Sequence, residues 1–128
     1  YAKLIEDLFN MGINIHYMVN ITGHGWRKIM RASKDFSYVI DQIPEPQPVF
    51  KFIQEQSGND DQEMYGNFNM GAGFAIFMPQ KDIELVQEIA KSKHQLNSLL
   101  AGRVEDGPKQ VIIKPKSIVF SGDTLGVR

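Results

Sequence analysis

The sequence predicts an α+β domain, a mixed β-sheet with helices packed on it. Three observations predict it. Apolar residues recur at helical spacing in several short stretches, β-branched and aromatic runs lie between them, and glycine or proline punctuates the joins. In chain order, Leu4, Ile5, Leu8 and Phe9 mark a first helix, which Gly12 ends as a C-cap. Ile13 to Ile21 is rich in β-branched and aromatic residues and reads as a strand. Thr22-Gly23-His24-Gly25 breaks that pattern before a short helix begins at Trp26, with Ile29 and Met30 apolar and Arg27, Lys28 and Arg31 basic. Phe36 to Ile40 reads as a second strand.

Pro44, Pro46 and Pro48 form a stiff connector, because each fixes its own φ and pushes the preceding residue to extended geometry. Val49, Phe50, Phe52 and Ile53 then supply the apolar face of a helix that ends at Gly58. Asp60 and Glu63 have capping-box spacing and open a turn of helix through Met64 and Tyr65. Asn67-Phe68-Asn69-Met70-Gly71-Ala72-Gly73 leads into an apolar strand, Phe74 to Met78, with the Phe68 ring expected in the core. Pro79 and Asp82 start a helix with Ile83, Val86, Ile89 and Ala90 on one face. Strands follow around Leu99 to Val104 and Val111 to Ile113, joined at the Gly107-Pro108 turn, and Ser117 to Phe120 adds another. There is no internal repeat and no low-complexity segment.

Composition bounds the function. The 128 residues suit one domain, and a hydrophobic content of 42% is enough for a core. With 14 basic and 15 acidic side chains the net charge is −1, which gives nucleic-acid binding no electrostatic support. The chain has no cysteine, so disulfides and thiolate metal sites are excluded. No apolar run approaches the ~20 residues of a membrane span, and no basic-then-apolar leader precedes the first helix. The expected location is cytoplasmic, without membrane or nucleic-acid partners. Because the sequence starts on Tyr1 inside a helical pattern, a piece of a longer protein is expected.

Four groups of residues carry chemistry, each against a plainer alternative. A strand running through Thr22, Gly23 and Gly25 into a helix presents backbone N–H groups suited to a phosphate, with the Thr22 hydroxyl as a further donor. Ordinary turn geometry is the competing reading. Gly71 and Gly73 point to close backbone approach beside Asn67 and Asn69, where tight sheet packing competes with a ligand site. His16, His24 and His94 lack ligand spacing, so no metal site is expected; His94 suits a helix C-terminus, and His24 has a possible proton-transfer or phosphate role from inside the glycine loop. Arg27 and Arg31, placed one turn apart on one helix face, and Lys28 offer cations for a substrate phosphate or simply a solvated face.

The order of these pieces resembles the C-terminal domain of the AIR synthetase (phosphoribosylformylglycinamidine cyclo-ligase, PurM-like) family over most of the chain. The family carries His-Ile-Thr-Gly-Gly-Gly, then Asn-Ile-Pro-Arg; here stand Asn20-Ile21-Thr22-Gly23-His24-Gly25 and Lys28-Ile29-Met30-Arg31. Gln47-Pro48-Val49-Phe50 matches its Pro-x-Ile/Val-Phe. The most specific stretch is Glu63-Met64-Tyr65-Gly66-Asn67-Phe68-Asn69-Met70-Gly71-Ala72-Gly73, against Glu-Met-Tyr-Arg-Thr-Phe-Asn-Met-Gly-x-Gly. Asn20, His24, Lys28, Met30 and Gly66-Asn67 depart from the pattern, which leaves the fold untouched and opens the question of substrate.

The resemblance implies that residues 1–128 form one C-terminal domain and that an N-terminal domain of the parent holds most ligands of ATP and Mg2+. It also implies a ribonucleotide substrate and a homodimeric parent joined mainly through that other domain. Thr22, Gly23, Gly25, Lys28, Arg31 and Asn69 would bind substrate or phosphate, with His24 and Asn20 as catalytic candidates. Two other readings stay open. One is a relative with another substrate, since selenophosphate synthetase, thiamine-monophosphate kinase, a hydrogenase maturation protein and formylglycinamidine ribonucleotide synthetase share the superfamily. The other is a non-catalytic module that binds a nucleotide-like ligand or a partner.

Overall fold

A computed structural model describes residues 1–126, and the fold is α+β. The chain runs α1 (Ala2–Asn10), β1 (Tyr17–Asn20), a 3-10 turn (Gly25–Arg31), β2 (Phe36–Ile40), α2 (Pro48–Ser57), α3 (Asp61–Asn67) and β3 (Phe74–Phe77). A 3-10 turn at Gln80–Asp82 then leads into α4 (Ile83–His94), β4 (Gly102–Asp106), β5 (Gln110–Ile113) and β6 (Ile118–Ser121). β1 and β3 pair as a two-stranded ribbon, and the other strands form a mixed sheet in the order β4-β2-β5-β6. Among the described residues no helix is long and apolar enough to cross a membrane.

The residues group into two compact units. The first comprises Tyr1–Met18 and Ile76–Leu100. Its core joins α1 to α4 through Leu4, Leu8, Ile13, Val86, Ile89 and Ala90. Ile13 therefore belongs to this cluster rather than to a strand, and its N–H reaches back to the Leu8 carbonyl. The strand expected over Ile13 to Ile21 shortens accordingly to Tyr17–Asn20. His94, the last residue of α4, pairs through Nε2 with Asp7 Oδ2 at 2.8 Å, a tertiary contact beyond the capping role.

The second unit runs from Val19 to Ala75 and resumes at Ala101. β2 is its central strand: antiparallel to β4 with Phe36 opposite Asp106, and parallel to β5 with Ser37 opposite Gln110. Four of its five residues are buried, as an inner strand covered on both faces requires. Gly102 faces Ile40 so closely that a Cβ there would lie 1.8 Å from the Val39 carbonyl oxygen. Ser37 Oγ donates to the Pro108 carbonyl at 2.8 Å and fixes the Gly107-Pro108 turn between β4 and β5. Trp26, Ile29 and Met30 of the first 3-10 turn join Tyr38, Met64, Val111 and Ile113 in the core.

α3 opens on the capping box its sequence announces. Asp60 Oδ1 accepts the Glu63 N–H at 2.8 Å, and Glu63 Oε1 accepts the Asp60 N–H at 3.0 Å. Pro48 occupies the first turn of α2 and Gly58, at φ +74°, ends it. The apolar face expected of α2 is only lightly covered: Val49 and Phe52 are 54% and 61% exposed, and Phe50 meets the half-buried Phe68 ring at 6.1 Å. Asp60→Ala is expected to lower stability by about 1 kcal/mol, read as a reduced urea midpoint at unchanged slope.

Candidate functional site

The site is built where the strand leaving β1 meets the turn that follows α3. The Ile21 N–H bonds the Gly73 carbonyl at 3.0 Å, so the Thr22–Gly25 loop and the Asn69–Gly73 segment lie side by side. The loop closes on itself through the Gly25 N–H, 2.7 Å from the Thr22 carbonyl. Gly25 must be glycine on two grounds. Its φ is +56°, and a Cβ would lie 2.3 Å from the Tyr65 carbonyl oxygen and 2.9 Å from the Asn67 nitrogen. Its backbone thus rests directly on the backbone of α3. Gly23 is exposed with nothing near its missing Cβ, which leaves that stretch of backbone open to an incoming group.

Two side chains tie the 3-10 turn to the end of α3. The Trp26 indole N–H donates to the Asn69 carbonyl at 2.9 Å. Arg27 donates to the Gly66 carbonyl through both Nε (3.1 Å) and Nη2 (2.7 Å), satisfying an acceptor at the C-terminal end of α3 where a cation is favoured. Its Nε also reaches the His24 carbonyl at 3.4 Å. Arg27 therefore anchors the turn to the end of α3. The helix-face pairing of Arg27 with Arg31 is corrected as well, because the segment is a 3-10 turn in which residues four apart do not align, and Met30 leaves helical geometry at φ −93°, ψ 22°.

The remaining candidates fall into place around this frame of backbone contacts. Lys28 Nζ donates to Thr22 Oγ1 at 2.6 Å, drawing an ammonium group over the loop. Arg31 ends the turn exposed, and Asn20 is exposed at the end of β1. His24 is half-buried at the N-terminal edge of the turn. Asn69 Oδ1 accepts the Gly71 N–H at 2.9 Å, so its side chain shapes the turn in which Met70 (φ +50°) and Gly71 (φ +97°) take left-handed backbone. A Cβ on Gly71 would lie 3.3 Å from the Glu45 carbonyl oxygen. Asn67 Nδ2 instead caps its own helix at the Glu63 carbonyl. Thr22, Gly23, Lys28 and Asn69 are thus gathered through direct bonds or shared loops.

Sequence reasoning missed the anchoring roles of Trp26 and Arg27. The carbonyls left open at the end of a short helix were the available signal, but the partner lies 39 residues away in sequence. Among the described residues no three His, Asp or Glu side chains converge on a point, so these residues offer no cage for a divalent ion.

No family model matches the chain. Curated relatives do. The phosphoribosylformylglycinamidine cyclo-ligase of Methanococcus maripaludis strain C6 is 39% identical over 106 residues, 83% of this chain. The protein of that name from Methanocaldococcus jannaschii is 36% identical over 107 residues, again 83% of this chain. That of Methanosarcina mazei is 44% identical over 93 residues, 73% of this chain. The aligned part spans 30%, 30% and 27% of those relatives' lengths.

The loop geometry makes a sharp contrast between two neighbouring glycines. Gly25→Ala is expected to destabilise the fold by about 2 kcal/mol or more, through its left-handed φ and overlap with α3. Gly23→Ala is expected to stay within about 0.5 kcal/mol of the parent sequence. Urea unfolding of both variants checks the pair.

Proposed function

Proceeding from the chain's membership of the phosphoribosylformylglycinamidine cyclo-ligase (AIR synthetase) family, we propose that it is the C-terminal domain of an ATP-dependent cyclo-ligase of purine biosynthesis. In this reading it forms one wall of the cleft that holds the ribonucleotide substrate and the phosphoryl group in transit. The observation that carries the proposal is the junction of the Thr22–Gly25 loop with the Asn69–Gly73 turn, joined by the Trp26–Asn69 bond. The two stretches that match the family's motifs are the two that meet.

The reaction proposed for the parent has two parts. The formyl oxygen of formylglycinamidine ribonucleotide takes the terminal phosphoryl group of ATP, and ADP departs. A nitrogen of the same substrate then attacks the activated carbon, and phosphate and a proton leave as the imidazole ring closes. Little covalent work falls to the protein, so positioning and charge stabilisation dominate. The backbone around exposed Gly23, with Thr22, would contact a phosphate. Lys28, already drawn to Thr22 Oγ1, and Arg31 would neutralise its charge. Asn69 would keep the facing turn in shape through its bond to the Gly71 N–H. His24 would serve in proton transfer in place of the family histidine that is Asn20 here.

Among the described residues no three acidic or histidine side chains converge, and the proposal draws no magnesium ligand from them. The ligands of that ion and most of those for ATP are assigned to the N-terminal domain of the parent. The same proposal makes the parent a cytoplasmic homodimer and the isolated domain inactive.

The test is ATP-dependent formation of aminoimidazole ribonucleotide by the full parent. Turnover is expected, with Arg31→Ala and Lys28→Ala each lowering kcat/KM by about 10- to 100-fold, the loss of one charge-assisted contact. A folded, ATP-binding parent without turnover would overturn the purine assignment. His24→Ala with unchanged kcat would remove His24 from the chemistry.

A further inference from the structure

Within the second unit, α2 is the helix least tied to its surroundings. Among the described residues none of α2 is buried, whereas α1, α3 and α4 each bury two or more. A ring contact and a hydrogen bond fasten it. Phe50 meets Phe68 with centroids 6.1 Å apart, and Gln54 Nε2 donates to Asp61 Oδ1 at 3.0 Å. Beside it lies a concavity of about 280 Å³, bounded by Ile43 and Pro44 of the connector, Lys51 and Gln54 of α2, and Tyr65 and Met70. The helix thus borders open space on one side and solvent on the other. A segment with so little buried apolar surface opens at a low free energy of its own.

Both ends of this stretch are built to pivot. Before it, the Asp41 and Gln42 N–H groups bond the Ala101 carbonyl at 2.7 and 3.0 Å, where the chain is still held beside the sheet. Pro44, Pro46 and Pro48 follow, each with a fixed φ and no N–H, so the connector resists bending within itself. After it, Gly58 takes φ +74° with nothing near its missing Cβ, which leaves the backbone free to turn. A stiff body, residues 43–57, therefore stands between two joints.

That body leans on the candidate site. It touches Phe68 through Phe50, and its Glu45 carbonyl oxygen would lie 3.3 Å from a Cβ on Gly71. Phe68 and Gly71 flank Asn69, whose Oδ1 accepts the Gly71 N–H at 2.9 Å. A ligand that settles the Asn69 turn settles both surfaces on which the body rests. By linkage, the body in place favours that ligand.

We propose that residues 43–57 form a hinged flap, which swings about Gln42 and Gly58 and is held shut by a ribonucleotide bound where the glycine loop meets the Asn69 turn. The identity of that ligand rests on the cyclo-ligase reading; the hinged motion does not.

Amide hydrogen exchange in graded low urea tests the motion on the chain alone. The opening that exposes α2 is expected to be about tenfold or more better populated than the one that exposes α3. Phe50→Ala is expected to speed exchange in α2 about fivefold to tenfold, as the loss of one aromatic pair implies, and to leave α3 unchanged. Gln54→Ala acts in the same direction. Equal protection of α2 and α3, or a Phe50→Ala chain in which both helices exchange faster alike, overturns the flap. The same measurement on the full parent with saturating formylglycinamidine ribonucleotide tests the coupling. The amides of α2 are expected to slow together with that of Gly23. Protection of Gly23 with no change in α2 overturns the coupling and leaves the cyclo-ligase reading standing, whereas no change at either overturns both.

Discussion

The close approach of Gly25 to the backbone of α3 is the contact on which the candidate site depends. With a hydrogen in place of a side chain, the loop after β1 lies flat on the Tyr65 and Asn67 peptides. Only from that position do the Trp26 indole and the Arg27 guanidinium reach the carbonyls of Asn69 and Gly66. Those bonds satisfy acceptors that the end of a short helix leaves open. They also fix the turn after α3, where Asn69 holds Met70 and Gly71 in left-handed backbone. One small residue thus sets the spacing between two otherwise separate stretches of sequence.

This arrangement sorts the polar residues into two kinds. Arg27, Trp26 and the Asn69 backbone are used up in holding the structure together. Gly23, Thr22, Lys28 and Arg31 are left at or near the surface of the loop, where a phosphate could be met. A basic cluster read from sequence as one unit is therefore divided, with Arg27 turned inward and Arg31 exposed. The proposed role, a wall that contributes positioning and charge rather than covalent chemistry, is compatible with this division.

Features governed by neighbours in sequence were legible in advance. The Asp60–Glu63 capping box, the Gly58 C-cap and the strand Phe36–Ile40 all appear as their residues predict. Local hydrogen bonding decides the two caps, and a run of aromatic and β-branched residues decides the strand. Features governed by distant partners were not. Ile13 has a strand former's shape, yet burial with Leu4 and Leu8 places it outside β1. The residues of the 3-10 turn have an α-helical pattern, but the pull of Arg27 and Trp26 toward α3 accompanies a tighter winding broken at Met30. The apolar residues of α2 match a buried face, and nothing in their spacing could reveal that Val49 and Phe52 stand exposed. In the candidate site the glycines and Thr22 were readable from their strand-to-helix context. The concavity beside Tyr65 was not, since its lining is drawn from residues as far apart as Ile43 and Lys116.

The central claim is that the Thr22–Gly25 loop, held on α3, is the part of this chain that meets the substrate's phosphate. Amide hydrogen exchange of the full parent, with and without saturating formylglycinamidine ribonucleotide, tests it most directly. The account predicts that the amides of Gly23 and His24 exchange more slowly in the complex. Exchange at those two amides that is unchanged by bound substrate, with protection confined to other segments, would contradict it.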